Sequence, residues 1–387
     1  MPEGEVNLCL NGQTINGKIT IGSGATLTLT DCIGSGRVQG EVTVNGGKFE
    51  LYSGTITGGV QVGIKGSAYQ TGSSFTMYGG AITGNKADSS GGGGVFLIGT
   101  TNSVVTAPSF TMHGGTISNN TAGASDGGGG GVYVGMKCSF TMDGGTITGN
   151  TATAGNGGGI YIHFNAGKVS ISGGTITGNK ATATGNISCG HGGGIYSERG
   201  VTVGNVKITG NNSTFEGGGI YGKGAITLTD ATVTDNSQYD VYYDGRESNT
   251  PELTISGSVK AGYYANEAWK LPILVSGALR EDSVIRVGVR EGINLGAIAE
   301  PASGVTLSAE NFKADAADCV TSLGDDGKVY LVPCTHEMDD TGYTCKKCHT
   351  QFDARVGDSA YYQTLTKAFD AARGNTVTLL RDVTLAG

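Results

Sequence analysis

Short stretches of alternating apolar and polar residues recur along most of the chain. One copy reads SFTMDGGTITGNTATAGNGGGIYI (residues 139–162), and related copies lie on both sides of it. Each copy holds a Phe-Thr-Met-like piece, a Thr-Ile-Thr-like piece, and an aliphatic–aromatic–aliphatic piece after a glycine run. A period of two places alternate side chains on opposite faces of a β-strand. The pattern therefore predicts three short strands per copy, each with one apolar face.

The spacing of the copies indicates a repeat protein. The central aliphatic residue of the second piece recurs about every 25 to 35 residues, at Ile82, Ile117, Ile147, Ile176, Ile208 and Val233. Strands this short bury their apolar faces most simply by stacking as coils and pairing in parallel around one continuous core. We therefore predict an all-β chain whose residues 1–245 form a right-handed parallel β-helix with three strands per coil. The blades of a β-propeller are longer than these repeats.

An asparagine recurs at one turn position, directly after the second piece. Asparagine tolerates a left-handed backbone, and its side-chain amide can bond to the turn or to the next asparagine in a stack. We favour an internal asparagine ladder, with a row of ligand-binding side chains as the alternative. Its members are Asn85, Asn120, Asn150, Asn179, Asn211 and Asn236.

Aromatic residues occupy the middle of the third piece. If their aliphatic neighbours point into the core, the rings point outward, where they could stack on sugar rings or anchor a protein partner. The alternative is that the preceding loops fold over the rings. This candidate binding ladder consists of Phe96, Tyr133, Tyr161, Tyr196 and Tyr221.

Composition and charge narrow the classes of partner. The 387 residues include 71 Gly but only 6 Pro and have no strict Gly-X-Y period, which excludes collagen. A net charge of −8 argues against nucleic acid as a partner. No apolar run is long enough to span a membrane. The first residues lack the basic and apolar regions of a signal peptide, so we expect any export signal to lie outside this chain.

A metal-ligand pattern follows the repeats. Cys334, His336, Cys345 and Cys348 are spaced C-x-H-x8-C-x2-C, which suits a closed, structural zinc site with tetrahedral Cys₃His ligation. The alternative is a reduced or disulfide-bonded CxxC with an incidental histidine, and His349 is a competing ligand. No disulfide framework is readable from the spacing of the remaining cysteines, which are Cys9, Cys32, Cys138, Cys189 and Cys319.

The C-terminal third divides into three further parts. Longer alternating pieces in residues 246–333 predict larger terminal coils or a β-rich cap. Residues 334–353 form the Cys/His knuckle. Residues 354–387 predict an amphipathic helix with one apolar face, followed by a strand. We place Leu365, Ala368, Phe369 and Ala372 on that face.

Several motifs resemble those of known surface proteins. ITGNKA, ISNNTA and ITGNTA, with the GGGV and GGGI pieces, resemble the FxxNxA and GGAI elements of polymorphic outer-membrane-protein repeats. That resemblance implies a β-helical passenger domain that serves as a surface adhesin. The opening VNLCLNG resembles the first coils of pectate-lyase-like β-helices in surface proteins of Gram-positive gut bacteria. Similar Cys/His knuckles separate modules in such proteins.

The second resemblance also bears on the organisation of the full protein. In the resembled family a helix and a strand start a β-helix, and here residues 354–387 would start a following module. We therefore expect this chain to be a piece of a longer tandem protein. Its tail would pack on the knuckle or cap the first coil of a neighbouring molecule, giving end-to-end self-association.

These features together favour a secreted, surface-displayed adhesin or stalk without catalytic residues. The expected partner is a host or microbial surface glycan or protein, such as mucin or immunoglobulin. The alternative is a polysaccharide-degrading lyase or glycoside hydrolase on a β-helix scaffold. CGHGG (residues 189–193) resembles the histidine motif of polygalacturonases, but the paired aspartates of that family are missing from the equivalent coils. No carboxylate cluster for the calcium ion of a lyase is readable either.

Overall fold

The computed structural model describes residues 1, 3–64, 72–88, 91–99, 106–124, 127–183, 188–244, 252–265, 272–289, 296–315, 319–358 and 360–384. In these ranges the chain is nearly all β, with one α-helix and long ladders of parallel strands. The predicted parallel β-helix is confirmed.

Three ladders run along the coils, and each takes one strand from each repeat. Sheet A consists of Gly4–Cys9, Ala25–Thr30, Lys48–Leu51, Ser74–Met77, Ser109–Met112, Ser139–Met142, Val169–Ile171, Val201–Gly204, Ile226–Thr229, Leu253–Gly257, Ile273–Leu279 and Ala297–Pro301. Sheet B consists of Thr14–Ile15, Arg37–Val38, Thr55–Ile56, Ala81–Thr83, Thr116–Ser118, Thr146–Thr148, Thr175–Thr177, Lys207–Thr209 and Thr232–Thr234. Sheet C consists of Ile19–Ile21, Val42–Val44, Val60–Val62, Val95–Leu97, Val132–Val134, Ile160–Ile162, Ile195–Ser197, Ile220–Gly222 and Val241–Tyr243.

A fourth, short ladder occupies the middle coils and was not expected from the three-strand pattern. Its strands directly follow the recurring asparagines of these coils, and their second residues are Ala or Ser. Such small side chains suit a tight corner of the coil. Sheet D consists of Lys86–Ala87, Thr121–Ala122, Thr151–Ala152, Lys180–Ala181 and Asn212–Ser213.

Like residues stack on like residues through the core. Phe75, Phe110 and Phe140 are register partners in sheet A, and their ring centroids lie 4.7 and 5.2 Å apart. The central isoleucines of sheet B pair in the same way and are fully buried. Parallel pairing in register brings the apolar side chain of every coil onto its counterpart, so one continuous core runs along the stack.

Beyond the repeats, sheets B and C merge. Lys260–Ala265 pairs with both Thr232–Thr234 and Val241–Tyr243, and Val284–Val289 and Phe312–Ala314 extend this ladder. An antiparallel hairpin then ends sheet A, because Val329–Pro333 pairs with both Ala297–Pro301 and Cys319–Leu323. A 3-10 helix, Ala309–Asn311, precedes the last strand of the merged ladder. Parallel coils thus continue into residues 246–333, and a hairpin closes one of their sheets.

The C-terminal residues form a small separate sheet with the helix against it. Ala354–Val356 pairs antiparallel with Ala360–Tyr362 and with Val377–Leu379. The helix Leu365–Ala372 begins at an N-cap, Thr364, whose hydroxyl accepts a hydrogen bond from the Lys367 N–H. Leu365 and Ala368 are buried, but Phe369 is exposed. The expected apolar face is therefore narrower than predicted, because Phe369 does not pack against the small sheet.

Two further observations complete the fold. A disulfide joins Cys9 to Cys32 in the first coils, a pairing that the cysteine spacing did not reveal. Within the ranges that the structure describes, no helix combines the length and apolarity that a membrane crossing requires.

Candidate functional site

The recurring asparagines form a buried ladder along one corner of the coils. The Asn120 backbone N–H and side-chain amide both donate to Asn150 Oδ1, at 3.0 and 2.9 Å. Asn150 donates in the same way to Asn179, again at 3.0 and 2.9 Å. From Asn120 onward each side-chain amide also donates to a carbonyl one coil back, as Asn150 does to Ile117 O at 2.9 Å. The internal ladder is confirmed from Asn85 to Asn236.

The outward aromatic residues also form a stack, but most of it is buried. Neighbouring ring centroids in the series from Tyr133 to Tyr161, Tyr196 and Tyr221 lie 4.9, 5.2 and 5.2 Å apart. Tyr161, Tyr196 and Tyr221 are only 5%, 2% and 4% exposed, whereas Phe96 and Tyr133 are half-buried. We predicted that these rings would be exposed and could bind a sugar or a protein. The prediction of exposure is wrong for these three tyrosines.

Glycine runs and neighbouring rings cover the tyrosine stack. A Cβ at Gly91 or Gly127 would lie 2.6 or 2.9 Å from the Tyr133 ring, so only glycine permits this close approach. Burial raises the pKa of Tyr133 to about 12. Burial and the hydrogen bond that the Tyr221 hydroxyl donates to Asp244, at 2.5 Å, also raise the pKa of Tyr221. The stack is thus part of the packed structure.

A different aromatic row is exposed, and the sequence pattern did not single it out. It occupies the position directly after three neighbouring strands of sheet A, where the chain turns. Ring centroids of Tyr52 and Tyr78 lie 4.5 Å apart, and those of Tyr78 and His113 lie 5.1 Å apart. The next residue in this register is Asp143, which contacts His113 Nδ1 at 2.9 Å. Tyr52 and Tyr78 are 45% and 42% exposed.

The signal for this row is present in the sequence. Tyr52 follows Leu51, Tyr78 follows Met77, and His113 follows Met112, all at the end of the first piece of a repeat. A side chain that directly follows a buried strand residue points to the opposite face. Aligning the copies one residue past that piece would have identified the row, which we call the exposed aromatic row.

The four predicted metal ligands converge in the knuckle. The Cys334 and Cys345 sulfurs lie 3.6 Å apart, as do Cys348 Sγ and His336 Nδ1. All four ligand atoms lie within 4.8 Å of one another. A tetrahedral zinc ion with Zn–S bonds of about 2.3 Å requires ligand separations of roughly 3.5 to 3.8 Å. The cluster can therefore hold a metal ion of this size.

Local turns bring the two halves of the ligand set together. Met338 and Cys345 form an antiparallel bridge across a turn in which Gly342 has φ +76°. The Lys347 N–H donates to Cys345 Sγ at 3.4 Å. Although burial raises the pKa of Cys345, hydrogen bonds from Cys348 N–H and His336 outweigh it and lower that pKa to about 6. Cys345 thus loses its proton more readily than Cys334, whose pKa is raised by burial.

The surroundings of the cluster join the knuckle to both neighbouring parts of the chain. Phe352 is fully buried beneath the cluster, and its ring centroid lies 4.7 Å from that of His336. The same apolar cluster includes Val320 of the terminal hairpin and Tyr361 of the C-terminal sheet. His349, the competing ligand, is exposed and lies outside the group of four. The arrangement suits a structural ion, because all four positions are protein side chains.

The histidine of the CGHGG motif packs on the tyrosine stack. The His191 ring centroid lies 4.6 Å from that of Tyr221 and 5.4 Å from that of Phe215. His191 Nδ1 lies 3.1 Å from Glu216 Oε2, and its backbone N–H donates to Asn156 Oδ1 at 2.9 Å. The imidazole is buried, with one carboxylate beside it.

Comparisons with known proteins add no assignment. No protein-family model, no curated protein and no solved structure matches this chain.

Proposed function

We propose that the chain is a non-catalytic adhesin or stalk module of a secreted, surface-displayed bacterial protein. In this proposal it binds a host or microbial surface glycan or protein, mucin and immunoglobulin among them. The stacked coils support the stalk role. Twelve parallel strands of sheet A, at about 4.8 Å per spacing, give a rod of roughly 50 Å. A rod of this length carries its surface away from a point of attachment.

The exposed aromatic row is the observation that carries the binding role. Tyr52, Tyr78, His113 and Asp143 present aromatic edges, hydroxyls, an imidazole and a carboxylate from four consecutive coils. Tyrosine combines a large rigid contact area with a hydrogen-bonding hydroxyl, which suits recognition of glycans and proteins. The regular spacing of the coils holds these groups in a fixed line. This row takes the place of the buried tyrosines as the proposed contact surface.

An array of glycans and host proteins tests this proposal. We expect saturable binding by the wild-type chain and at least tenfold weaker binding after Tyr52→Ser combined with Tyr78→Ser. Tyr239→Ser is the matched control, because Tyr239 is equally exposed and lies outside the row. An array without any binder, or equal losses in both variants, would contradict the proposed surface.

We further propose that the four-residue cluster binds a structural zinc ion. Two ligand pairs support this proposal, because each is separated by 3.6 Å, as tetrahedral ligation requires. The three cysteines favour zinc over hard cations. The ion would stabilise the knuckle, whose apolar core is small. In this role it links the terminal hairpin to the C-terminal sheet.

The C-terminal unit supports end-to-end self-association as a further proposal. Phe369 and Leu379 are exposed on this unit. A second molecule that packs on this unit would bury both side chains, which favours association. Sedimentation over a range of concentrations tests the idea. We expect association that Phe369→Ser weakens, and a monomer at all concentrations would contradict it.

A polysaccharide-degrading enzyme is the second candidate. The observation in its favour is the pairing of His191 with Glu216, because a histidine beside a carboxylate can serve in acid–base catalysis. The burial of the imidazole against Tyr221 and Phe215 favours a packing role instead. A degradation assay separates the two candidates.

A further inference from the structure

The asparagine ladder begins beside a cavity at the corner of the coils. Only residues 57–59 join Thr55–Ile56 to Val60–Val62, whereas residues 84–94 make the same connection one coil later. The longer connection therefore has no equivalent residues in the preceding coil to pack against. A cavity of about 120 Å³ lies there, and its lining includes Gly59, Gln61, Asn85, Lys86, Gly93 and Phe96.

Asn85 lines this cavity, and its side-chain oxygen is a buried acceptor. Its backbone N–H and side-chain amide donate to Asn120 Oδ1, at 3.0 and 2.6 Å. Among the described residues, none donates to Asn85 Oδ1, although Asn85 is only 5% exposed. A buried oxygen without a donor is costly, so such an atom requires a partner, either a water molecule or a bound group.

The later rungs show which chemistry this position accepts. There each Oδ1 accepts a backbone N–H and a carboxamide N–H from the asparagine one coil earlier, as Asn150 does from Asn120. A second bond runs in the opposite direction between the same two coils. The residue that follows the asparagine of the later coil donates its N–H to the backbone carbonyl of the asparagine in the earlier coil, as Thr151 does to Asn120 O at 2.8 Å. At the first rung the corresponding groups are Asn85 Oδ1 and the Lys86 N–H. Together they match a group that has both an N–H donor and a carbonyl acceptor.

We propose that this cavity is a binding site for an amide group. The amide N–H donates to Asn85 Oδ1, and the amide carbonyl accepts from the Lys86 N–H. The cavity volume is many times what a single water requires, so a group the size of acetamide fits. Phe96 lines the same cavity and provides apolar contact for the methyl of an acetyl group.

Two sources could supply this amide: the acetamido group of an N-acetylated sugar, or a carboxamide side chain. Choosing the sugar rests on the proposed glycan-binding function, whereas the amide chemistry rests on the cavity alone. The probes are therefore N-acetylglucosamine, glucose as its counterpart without the amide, and acetamide. Binding is followed by NMR through the side-chain amide resonances of Asn85.

A pair of glycine variants tests the location. A Cβ at Gly59 would lie 3.5 Å from Gly93 O and 3.9 Å from Asn85 Cγ, so Gly59→Ala places a methyl group in the cavity without a clash. Gly84→Ala is the matched control, because Gly84 has a similar positive φ, +71° against +77°, and open space around its Cβ. Both variants carry the same backbone strain. Circular dichroism and thermal melting check that both remain folded.

We expect N-acetylglucosamine or acetamide to bind saturably to the wild-type chain. Binding to Gly59→Ala should be at least tenfold weaker, and binding to Gly84→Ala should be within twofold of wild type. Binding of N-acetylglucosamine but not glucose identifies the sugar source, and binding of acetamide alone identifies the carboxamide. Failure of both amide probes, equal binding of glucose, or equal effects of the two variants would overturn the site. A positive glycan array with unaltered Gly59→Ala binding would reject this site and leave the proposed function intact.

Discussion

The side-chain amide of Asn236 donates to Asp240 Oδ1 at 3.0 Å, and this contact ends the asparagine ladder. The same oxygen accepts the Asn236 backbone N–H at 2.9 Å. The other carboxylate oxygen accepts from Gly262 N–H at 3.0 Å and from Arg286 at 2.9 Å. A carboxylate, which only accepts, thus replaces the next asparagine where the corner loop disappears and sheets B and C merge.

Replacing Asp240 with alanine should destabilise the end of the ladder. Asp240 is 2% exposed, and its removal leaves the backbone N–H groups of Asn236 and Gly262 without their acceptor. We expect a local loss of about 3 kcal/mol. Hydrogen exchange of the amides around Asn236 and Gly262 measures it. Asp88→Ala, which removes an exposed carboxylate, should leave exchange unchanged. Equal protection from hydrogen exchange in the two variants would contradict the conclusion that Asp240 stabilises the end of the ladder.

The purified chain should carry one zinc ion, and Cys345→Ser should abolish stoichiometric binding. Cys345 is the fully buried member of the four ligands, so its replacement removes one thiolate from the set. Cys319→Ser is the control, because Cys319 lies outside this group. Affinity should fall as the pH drops from about 8 to about 5, since the thiols and the imidazole must lose protons to bind. Elemental analysis that finds no metal in wild-type protein would contradict the site.

The tyrosine stack should make stability fall at high pH. Burial raises the pKa of Tyr133 to about 12, above the value of about 10 in an unfolded chain. The neutral ring is thus favoured in the folded state, so its contribution is complete below about pH 10 and is lost as the pH rises toward 12. Denaturant unfolding across this range measures the effect. Tyr133→Phe should lessen the loss of stability at high pH. If the free energy of unfolding of this variant depends on pH as it does in the wild-type chain, the result would argue against burial of the stack.

The repeat units and their register were predictable because the period-two pattern is local. Ile117 and Ile147 occupy equivalent places in their copies, and parallel stacking brings equivalent places together. The asparagine ladder follows from the same logic. The metal ligands were predictable because Cys345 and Cys348 are close in the chain, and a turn brings Cys334 and His336 to them.

Features that depend on contacts between coils could not be derived from the sequence. Burial of Tyr161 depends on neighbouring rings and on glycine runs that lie over the stack, and neither follows from the alternation itself. The partnership of Cys9 with Cys32 depends on the length of the first coil, which the irregular opening repeats do not reveal. The exposure of Phe369 depends on which helix residues the small sheet covers, and it buries only Leu365 and Ala368.

Turnover of a bound glycan tests the central claim, binding without catalysis, most directly. The glycan that the array identifies is incubated with the chain at equal concentration, and new reducing ends and unsaturated products are followed. We predict that the glycan is retained by the wild-type chain and recovered intact. Steady product formation that His191→Ala abolishes, or failure of the chain to bind any glycan or protein, would contradict the account.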